Sequence, residues 1–515
     1  MKAWTVGLIV PAAFCAEAFA DRPFLAFNED DSHFYVAANM SKAAFRDYID
    51  DVCRGHVTHF FACANAQRAI FDSKTFDSAW KGVENPGEWA RCLKGLADES
   101  LDPLQMWLEC CRDKGVSFWV SMRMNDVHDV KDIDCNSHSS FWKNNPEYWR
   151  MASSGIDRTR ALDYSVPQVR EYNLAFAKEL IDRYDLDGIE LDWMRSGSHL
   201  PGGREREFAH ILADFMREVR EYADAVGKRR GRRIKTGVRV PTTIEAATSI
   251  GEDVISWARL GYVDLIVPCN RYATSDFDIP IDRWMREIRE VNPDVLVIPG
   301  TDSGVIIDNR NFRSRRMMSL AEYCGWAEAL WENGARGLYL FNLYENPRDS
   351  ETWREVLSSG LGREYVAKSR RCVPKSYRDM AGGLEDYRRI PASLERGCLL
   401  NLRIGKPPAA GTVGLFVAFD SENVPPALID TVTLNGTKSL ASEPVPVDDW
   451  VGGIWANSSS VANAKRVGSS LVKSSWKLSF PLQSLKPGVN EVGVGRHGTL
   501  RVAGCELEIV PHLGR

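Results

Sequence analysis

Short apolar runs alternate with longer amphipathic segments between residues 30 and 360 of this chain. Such alternation is typical of strands that pair in parallel and are joined by helices. Eight runs have the length and composition of strands: His33–Asn39, Val57–Cys63, Val116–Met122, Asp187–Trp193, Ile234–Val240, Val263–Pro268, Val295–Pro299 and Gly337–Asn342. A (β/α)8 TIM barrel has the same number of strands. The pattern therefore predicts an α/β chain with such a barrel. An open doubly wound sheet would need a glycine-rich phosphate loop after its first strand, and residues 39–42 do not provide one.

The pattern changes after the barrel region. Residues 366–390 are polar and rich in arginine, which predicts a linker between a barrel at 21–365 and a second domain at 391–515. In that domain Asn435-Gly436 is a strong signal for a tight hairpin turn. We expect an all-β, jelly-roll-like sandwich with strands at Thr412–Phe419, Ile429–Leu434, Trp476–Phe480, Glu491–Val494 and Glu506–Val510. Its role, as a ligand-binding surface or as a passive structural cap, stays open.

The N-terminal residues have the pattern of a secretory signal peptide. Lys2 supplies a positive charge, residues 4–14 are apolar, and Ala18-Phe19-Ala20 has the small residues of a cleavage site. Residues 1–20 are therefore predicted to be a signal peptide, and the mature chain is expected to start near Asp21 and to be exported to the periplasm or the cell exterior. No later stretch approaches the roughly 18 uninterrupted apolar residues of a membrane helix, so none is expected in the mature chain.

The charge balance disfavours one broad class of partner. The chain has 65 Lys and Arg against 70 Asp and Glu, without the positive excess expected of a generic nucleic-acid-binding protein. Its 12 cysteines include no Cys-x-x-Cys pair, which argues against a structural zinc site. We therefore expect no nucleic-acid partner, and no metal or organic cofactor.

The fourth predicted strand combines an apolar pattern with acids. Glu190 and Asp192 lie two residues apart, so both side chains point to the same side of the strand. Acids inside a barrel strand must be paired, hydrogen-bonded or protonated to be tolerated. One interpretation is a catalytic site at the end of this strand, where barrel enzymes carry their chemistry. The alternative is a structural ion pair with a nearby arginine.

Polar side chains follow every one of the predicted strands. In a barrel these strand ends gather at one mouth, which would form a polar bowl suited to a hydroxyl-rich ligand such as a sugar. Asn and Arg side chains can satisfy pairs of sugar hydroxyls through forked hydrogen bonds. The candidate substrate-binding residues are Asn39, Asn65, Arg68, Arg123, Asn125, His128, Trp193, Arg239, Asn270, Arg271, Tyr272, Asp302, Asn342 and Tyr344.

Cleavage of a glycosidic bond needs two carboxyl groups, one to protonate the departing oxygen and one to attack the anomeric carbon or to activate water. Asp192 is the first candidate, as nucleophile or charge stabiliser. Glu190 is a second candidate, or it orients Arg123 or Arg239. His128 is a further candidate for assisting proton transfer. The partner acid stays open among positions after other strands, of which the first two are preferred: Glu345, Asp126, Asp302 and Glu245.

Four arginines, Arg68, Arg123, Arg239 and Arg271, are expected to converge on these acids. Their charges would keep the acids ionised, and the simpler interpretation is that they only neutralise the acids of the fourth strand. A second hypothesis is that they bind an anionic sugar, one that carries a uronate or a sulfate.

The fourth strand resembles the Asp-Gly-x-Asp-x-Asp-x-Glu signature of glycoside hydrolase family 18. Asp187-Gly188 and Asp192 are in register with it, Glu190 replaces the middle Asp, and Met194 stands where that family has its catalytic Glu. Substrate-assisted chitinase chemistry is therefore not implied. The chain more closely resembles the secreted bacterial glycosyl-hydrolase-like family 10 barrels, through the Leu-Asp-Gly-Ile-x-x-Asp pattern of this strand and the long amphipathic helix before it. This likeness covers about residues 30–350 and implies a polysaccharide-processing enzyme.

Together these patterns predict a secreted glycoside hydrolase that cleaves a poly- or oligosaccharide by a two-carboxylate mechanism. The alternative is a carbohydrate-binding protein of the same fold that lacks catalytic activity. A carbohydrate esterase or deacetylase is disfavoured, because neither a Ser nucleophile elbow nor an Asp/His metal set is visible in the sequence.

Overall fold

The computed structural model describes residues 24–30, 41–150, 160–195, 199–270, 275–306, 315–362, 368–374, 390–447, 454–455 and 472–512. The predicted signal peptide and the run His33–Asn39 lie outside these ranges, as do Arg271 and Tyr272. In the described part of the chain, no helix has both the length and the apolar character needed to cross a membrane.

Nine strands form one parallel sheet in the N-terminal part of the chain. They are β1 (Phe24–Glu29), β2 (His59–Cys63), β3 (Ser117–Arg123), β4 (Gly188–Asp192), β5 (Lys235–Val240), β6 (Leu265–Pro268), β7 (Leu296–Val297), β8 (Gly300–Thr301) and β11 (Gly337–Phe341). Two short strands, β9 (Gly304–Ile306) and β10 (Arg315–Met317), lie between β8 and β11 in the chain and belong to a separate sheet. The order of the nine strands is β7-β6-β5-β4-β3-β2-β1-β11-β8. The two ends of this order, β7 and β8, are separated in the chain only by Ile298 and Pro299. The predicted α/β class is confirmed.

The first strand of the sheet is not the predicted one. β1 pairs with β2 on one side and with β11 on the other, with Ala26 opposite His59 and Tyr339. The assignment of the first barrel strand to His33–Asn39 was therefore wrong. The run Phe24–Glu29 has the apolar character of a strand, and it begins three residues after the position at which the mature chain is expected to start.

Helices cover the outer face of this sheet. Many begin at residues whose side chains cap them: Asp102 accepts hydrogen bonds from the backbone N–H of Leu104 and Gln105, and Ser319 forms a capping box with Glu322. The helices are α1 (Lys42–Val52), α2 (Glu88–Asp98), α3 (Pro103–Asp113), α4 (Ser140–Asn144), α5 (Pro167–Arg183), α6 (Ala209–Arg230), α7 (Ile244–Ser249), α8 (Val254–Arg259), α9 (Ile281–Val291), α10 (Leu320–Glu332), α11 (Glu351–Ser359) and, in the C-terminal part, α12 (Pro426–Ile429).

The inner face of the sheet is apolar toward the amino ends of its strands. A separate cluster of buried residues fills this space: Ala26, Phe61, Trp119, Leu265, Val267, Cys269, Ile298, Tyr339 and Phe341. Trp119 is its largest member and is 1% exposed. Gly188 and Gly237 leave room for the Trp119 ring on the neighbouring strands. Because side chains alternate along a strand, the inward positions of β3 and β4 continue to Arg123 and to Asp192 at the carboxyl ends.

The substitution Gly188→Ala is expected to lower the free energy of unfolding by about 1–3 kcal/mol. A Cβ atom at this position would lie 2.5 Å from ring atoms of Trp119, and the buried ring has no free space to move into. Urea unfolding followed by circular dichroism measures the effect. Gly95→Ala is the matched control, since nothing lies within 4 Å of its Cβ position on α2, and it should stabilise the protein slightly. Equal effects of the two substitutions would contradict the packing described.

Two antiparallel sheets form most of the C-terminal part. The six-stranded sheet has the order β12-β22-β15-β20-β18, with β13 also paired to β22, and the four-stranded sheet has the order β14-β21-β16-β17. The strands are β12 (Arg370–Cys372), β13 (Ala392–Ser393), β14 (Cys398–Ile404), β15 (Gly411–Phe419), β16 (Thr433–Leu434), β17 (Thr437–Lys438), β18 (Ala441–Val445), β19 (Ile454–Trp455), β20 (Ser474–Phe480), β21 (Gly488–Val494) and β22 (Arg501–Pro511). The short strand β19 pairs with β10, which joins the two parts of the chain.

Two sequence predictions in this region are corrected and one is confirmed. The predicted strand Ile429–Leu434 is a strand only at Thr433–Leu434, because Pro426 starts a helical turn that ends at Ile429. The predicted linker contains β12, which pairs with β22 and so belongs to the C-terminal sheet. Asn435 and Gly436 form the hairpin between β16 and β17, with the positive φ angles of 51° and 78° that this turn requires.

The C-terminal sheets pack directly on the N-terminal part of the chain. β12 lies against α10, where Gly325 lets the backbone of Arg371 approach closely. Arg370 forms an ion pair with Glu328 of the same helix, and Arg403 donates a hydrogen bond to Asp278 at 2.5 Å. One continuous hydrophobic cluster includes residues of both parts. These contacts favour a structural cap over a loosely tethered binding module.

Candidate functional site

Charged side chains replace the apolar ones toward the carboxyl ends of the inward-facing positions. Arg123 and Asp192 end β3 and β4, and Arg239 lies opposite Asp192 on β5. Asp30 follows β1 directly. Each of these four residues is at least nine-tenths buried. Because the strands are parallel neighbours, the four side chains meet at one end of the sheet.

Asp192 and Arg239 form a buried ion pair. Arg239 Nη1 donates a hydrogen bond to Asp192 Oδ2 at 2.8 Å, and the backbone N–H of Met194 donates to Oδ1 at 3.1 Å. Both side chains are 2% exposed. The guanidinium of Arg239 also lies 3.8 Å from the ring centroid of Phe341, so an aromatic face supports its position. The predicted pairing of the acids on β4 with an arginine therefore holds for Asp192.

Glu190 lies one inward position deeper than Asp192, and its environment differs. Its Oε1 accepts hydrogen bonds from Ser121 Oγ at 2.7 Å and from Tyr339 OH at 2.9 Å. Its Oε2 has no hydrogen-bond partner among the described residues. Burial raises the pKa of Glu190 to about 7, although Arg239 acts in the opposite direction. Glu190 does not orient Arg123 or Arg239 through a hydrogen bond, and that part of the sequence hypothesis was wrong.

Arg123 holds two further acids at the end of β3. It donates hydrogen bonds to Asp30 and, at 2.7 Å, to Asp126. Burial alone would raise the pKa of Asp126, but His128 and Arg123 outweigh burial and hold that pKa well below its usual range. The pKa of Asp30 is lowered in the same way by Arg123 and Arg195, against the effect of burial. Both acids are therefore ionised at neutral pH.

His128 and Arg195 are the more exposed members of this network. His128 Nδ1 lies 2.6 Å from Asp126 Oδ1, and its Nε2 lies 3.4 Å from Arg195 Nη2. The side chain of His128 is 57% exposed and that of Arg195 is 17% exposed, whereas the Asp126 side chain is only 1% exposed. The network thus has its acids inside and Arg195 and His128 outside, where His128 donates from Nδ1 to Asp126 and accepts at Nε2 from Arg195.

Four predicted substrate-binding residues have structural roles instead. Asn65 bonds the backbone N–H and C=O of Arg123, Asn125 bonds the backbone of residue 162, and Arg68 donates to three backbone carbonyls. Trp193 is completely buried between aromatic rings that include Tyr164. Trp193 was therefore wrongly predicted to face a ligand, whereas Asn65 and Asn125 hold the backbone and also line a small cavity beside Arg123. Trp193 directly follows Asp192, the last residue of β4. Because successive side chains of a strand point to opposite faces, Trp193 faces the helices when Asp192 faces inward.

The other predicted residues occupy varied places. Tyr344 OH lies 3.3 Å from Asp30 Oδ2, and Asn342 Nδ2 donates to Asp302 Oδ1 at 2.5 Å, which puts these groups near the same strand ends. Asn270 follows β6 and is buried.

Glu345 follows β11 in a short 3₁₀ turn, and its side chain is not among those described. Asn39, Arg271 and Tyr272 lie outside the described residues. Glu245 is paired with Arg283 on the surface, so it is removed as a partner acid.

Sequence reasoning missed several members of the network. Asp30 and Asn28 were missed because β1 was assigned to the wrong residues, although both continue the inward positions that start at Ala26. Tyr339 and Ser121 were missed because a tyrosine or serine in an apolar strand gives no signal by itself. Asn28 Nδ2 donates to Tyr339 OH at 2.6 Å, so a chain of hydrogen bonds links Asn28 on β1 to Glu190 on β4.

A small cavity adjoins the Arg123 network between the ends of β2 and β3, and it has room for about one water molecule. Its lining includes Arg123, Asp126, Gln67, Phe76, Ser139 and Tyr172. The cavity is too small to hold a sugar ring as it stands.

The substitution Glu190→Gln is expected to remove part of the pH dependence of stability. The folded protein holds this proton up to about pH 7, whereas an unfolded Glu loses it near 4.5. The stabilising contribution is therefore full below pH 4.5 and is lost as pH rises through about 7, a fall of about 3 kcal/mol.

Urea unfolding at pH 5 and pH 8 measures this effect. Between the two pH values the stability of Glu190→Gln should fall by about 2.5 kcal/mol less than that of wild type, because an amide does not ionise and part of the contribution of Glu190 is already lost at pH 5. The pKa values of Asp30 and Asp126 are lowered in the folded protein, so these acids change the free energy of unfolding only at pH values below those of the experiment. An identical pH dependence of the two proteins would show that Glu190 titrates normally.

Comparisons with known proteins give only remote likenesses. No protein-family model matches the sequence, and no curated protein matches it. The structure is similar to a cycloisomaltooligosaccharide glucanotransferase of Paenibacillus sp. (9% identity, TM-score 0.35, covering 95% of this chain and 57% of that one). It is also similar to a glycoside hydrolase family 18 N-acetylglucosaminidase of Paenibacillus barengoltzii (11% identity, TM-score 0.37, covering 66% of this chain and 100% of that one).

A third likeness is to the family 36 α-galactosidase AgaA of Geobacillus stearothermophilus (13% identity, TM-score 0.38, covering 90% of this chain and 56% of that one). The chain thus spans little more than half the length of the glucanotransferase and of the galactosidase. At these TM-scores and identities, the likenesses identify neither a family nor an activity.

Proposed function

We propose that the protein hydrolyses glycosidic bonds with the two carboxyl groups of β4. The observation that carries this proposal is the contrast between them: Glu190 keeps a proton near neutral pH, whereas Asp192 is held in an ion pair with Arg239. Glycoside hydrolysis needs one protonated and one ionised carboxyl group at the same time. Two such groups two residues apart on one strand meet that requirement.

The roles follow from these environments. Glu190 donates its proton to the departing glycosidic oxygen, and its unpartnered Oε2 is the atom that carries the proton. Asp192 attacks the anomeric carbon or stabilises the positive charge that develops there, and water then supplies the new hydroxyl group and returns a proton to Glu190. Asp126, one of the preferred partner acids from the sequence, is poorly suited to donate a proton because its pKa is held low.

A second candidate function is carbohydrate binding without cleavage. The observation that favours it is the burial of both acids: Glu190 is 0% exposed, and Asp192 is 2% exposed and has hydrogen bonds to both oxygens. A nucleophile needs access to its substrate, whereas a structural ion pair does not. Both candidate functions predict that a sugar binds, and only the first predicts that it is cleaved.

The closed eightfold barrel is part of the proposal, since a closed ring would bring the acids of β1, β4 and β8 around one mouth. Support comes from residues 296–301, which bond to strands on both sides. Ile298 N donates to Ile266 O at 2.9 Å, and Tyr339 N donates to Pro299 O at 3.0 Å. Export is a further part, supported by the signal-peptide pattern of residues 1–20.

A panel of defined oligosaccharides tests the function. The panel contains α- and β-linked neutral hexoses, N-acetylhexosamines, deoxyhexoses and uronates, with products followed by mass spectrometry and binding by calorimetry. Release of shorter sugars from any member supports hydrolysis. Tight binding of one member without release supports the second candidate. If no member is bound or cleaved, both candidates are contradicted.

A further inference from the structure

We propose that Arg195 and His128 form a subsite for a negatively charged group on the sugar, a uronate carboxylate or a sulfate. This inference rests on the proposed function and names its substrate class. The two side chains lie side by side, with Arg195 Nη2 3.4 Å from His128 Nε2. Arg195 follows β4 by three residues and His128 follows β3 by five, and both contact the acids held by Arg123.

Arg195 differs from the other arginines of the site in its spare donors. Arg123 uses both terminal nitrogens on Asp30 and Asp126, and Arg239 uses its own on Asp192 and Cys269. Among the described residues, Arg195 makes a hydrogen bond only to His128, and its Nε has no partner. Its contact with Asp30 is longer, at 3.6 Å. A guanidinium with free N–H groups in a fixed plane is suited to a planar or tetrahedral oxyanion.

The surrounding groups are layered so that Arg195 lies outside the acids, with its donors held in place by His128 Nε2, which accepts from Arg195 Nη2. The carboxylates of Asp126 and Asp30 are 1% and 7% exposed, whereas the side chains of Arg195 and His128 are 17% and 57% exposed. The two acids fix the positions of the groups above them, since Asp126 bonds His128 Nδ1 at 2.6 Å. A ligand that approaches from solvent therefore meets nitrogen atoms first and carboxylates only beneath them. This arrangement favours an anionic group over a cationic one.

The original hypothesis placed the anion site on a different set of arginines. Arg68 is used by backbone carbonyls, and Arg123 and Arg239 are used by acids, so these three are removed from it. Arg195 was not among the four arginines considered for this role. Its assignment comes from the spare donors, which only the structure reveals.

The test compares acidic oligosaccharides with neutral partners of the same skeleton. One arm uses uronate oligosaccharides and the same compounds after reduction of each carboxylate to an alcohol. The other arm uses sulfated oligosaccharides and their desulfated forms. Calorimetry gives the dissociation constant, and initial rates give KM and kcat. We expect wild type to prefer one acidic set over its neutral partner by about tenfold, which corresponds to about 1.4 kcal/mol.

The variant Arg195→Gln is expected to lose most of this preference, mainly through KM, and to keep its affinity for the neutral partners. Arg217→Gln is the matched control, because Arg217 lies within α6 and is paired with Glu221 on the surface of that helix. Equal affinity of wild type for acidic and neutral partners would overturn the anion subsite and leave glycoside hydrolysis standing. An equal loss on both sets in Arg195→Gln would also overturn it. Failure of every sugar to bind or react would instead contradict the proposed function.

Discussion

Replacement of Asp192 by Asn is expected to lower turnover of the best oligosaccharide by on the order of 10³-fold, while the sugar still binds. Asn has the same shape and keeps one acceptor oxygen for Arg239, but it has no negative charge with which to attack or stabilise the anomeric centre. Initial rates with chromatographic detection measure turnover, and calorimetry measures binding. Near-UV circular dichroism confirms that the variant remains folded under the assay conditions.

Asp187→Asn is the control for this result. Asp187 lies just before the opposite end of the same strand, where its side chain is 46% exposed and accepts a hydrogen bond from the backbone N–H of Phe118 at 2.8 Å. Its loss should change stability slightly and turnover little. Turnover within threefold of wild type in Asp192→Asn would remove Asp192 from the mechanism. In that case the ion pair with Arg239 is structural and the acid must lie elsewhere.

The position of the acids on β4 was predictable, whereas their partners were not. A period of two along the strand is a local property, so it places Glu190 and Asp192 on one face without any knowledge of the fold. Which arginine meets which acid depends on the neighbours of each strand and on how far each side chain reaches. The sequence suggested one converging group of arginines, but Arg123 serves Asp30 and Asp126 while Arg239 serves Asp192.

The largest error in the site came from the start of the chain. The pattern of eight strands was nearly right, but β1 was displaced to His33–Asn39, and with it the inward positions that hold Asn28 and Asp30. A polar residue at the end of a strand becomes informative only after the strand itself is located. Trp193 is the opposite example, because it directly follows a strand that was located correctly. Side chains alternate along a strand, so its position one residue after Asp192 already predicts that it faces the helices.

The substitution Arg239→Met is expected to lower the free energy of unfolding by about 3–5 kcal/mol. Met matches the length of the arginine stem and packs against Phe341, but it leaves the carboxylate of Asp192 buried without a cation. The cost of the change is therefore the cost of an unpaired buried charge rather than of a cavity. Urea unfolding at pH 7 measures it. Arg232→Met, at a surface pair where the arginine side chain is 32% exposed, should cost less than about 1 kcal/mol.

The double variant Arg239→Met/Asp192→Leu separates charge from packing. If the loss in Arg239→Met comes from the unpaired carboxylate, removing that carboxylate should restore at least about 2 kcal/mol. If the double variant is instead as unstable as Arg239→Met, the arginine stabilises the barrel through its contact with Phe341 and not through the ion pair. A double variant that is more stable than wild type would mean that the pair of Arg239 and Asp192 costs stability, and that a charged pair at this depth is kept for the chemistry of Asp192.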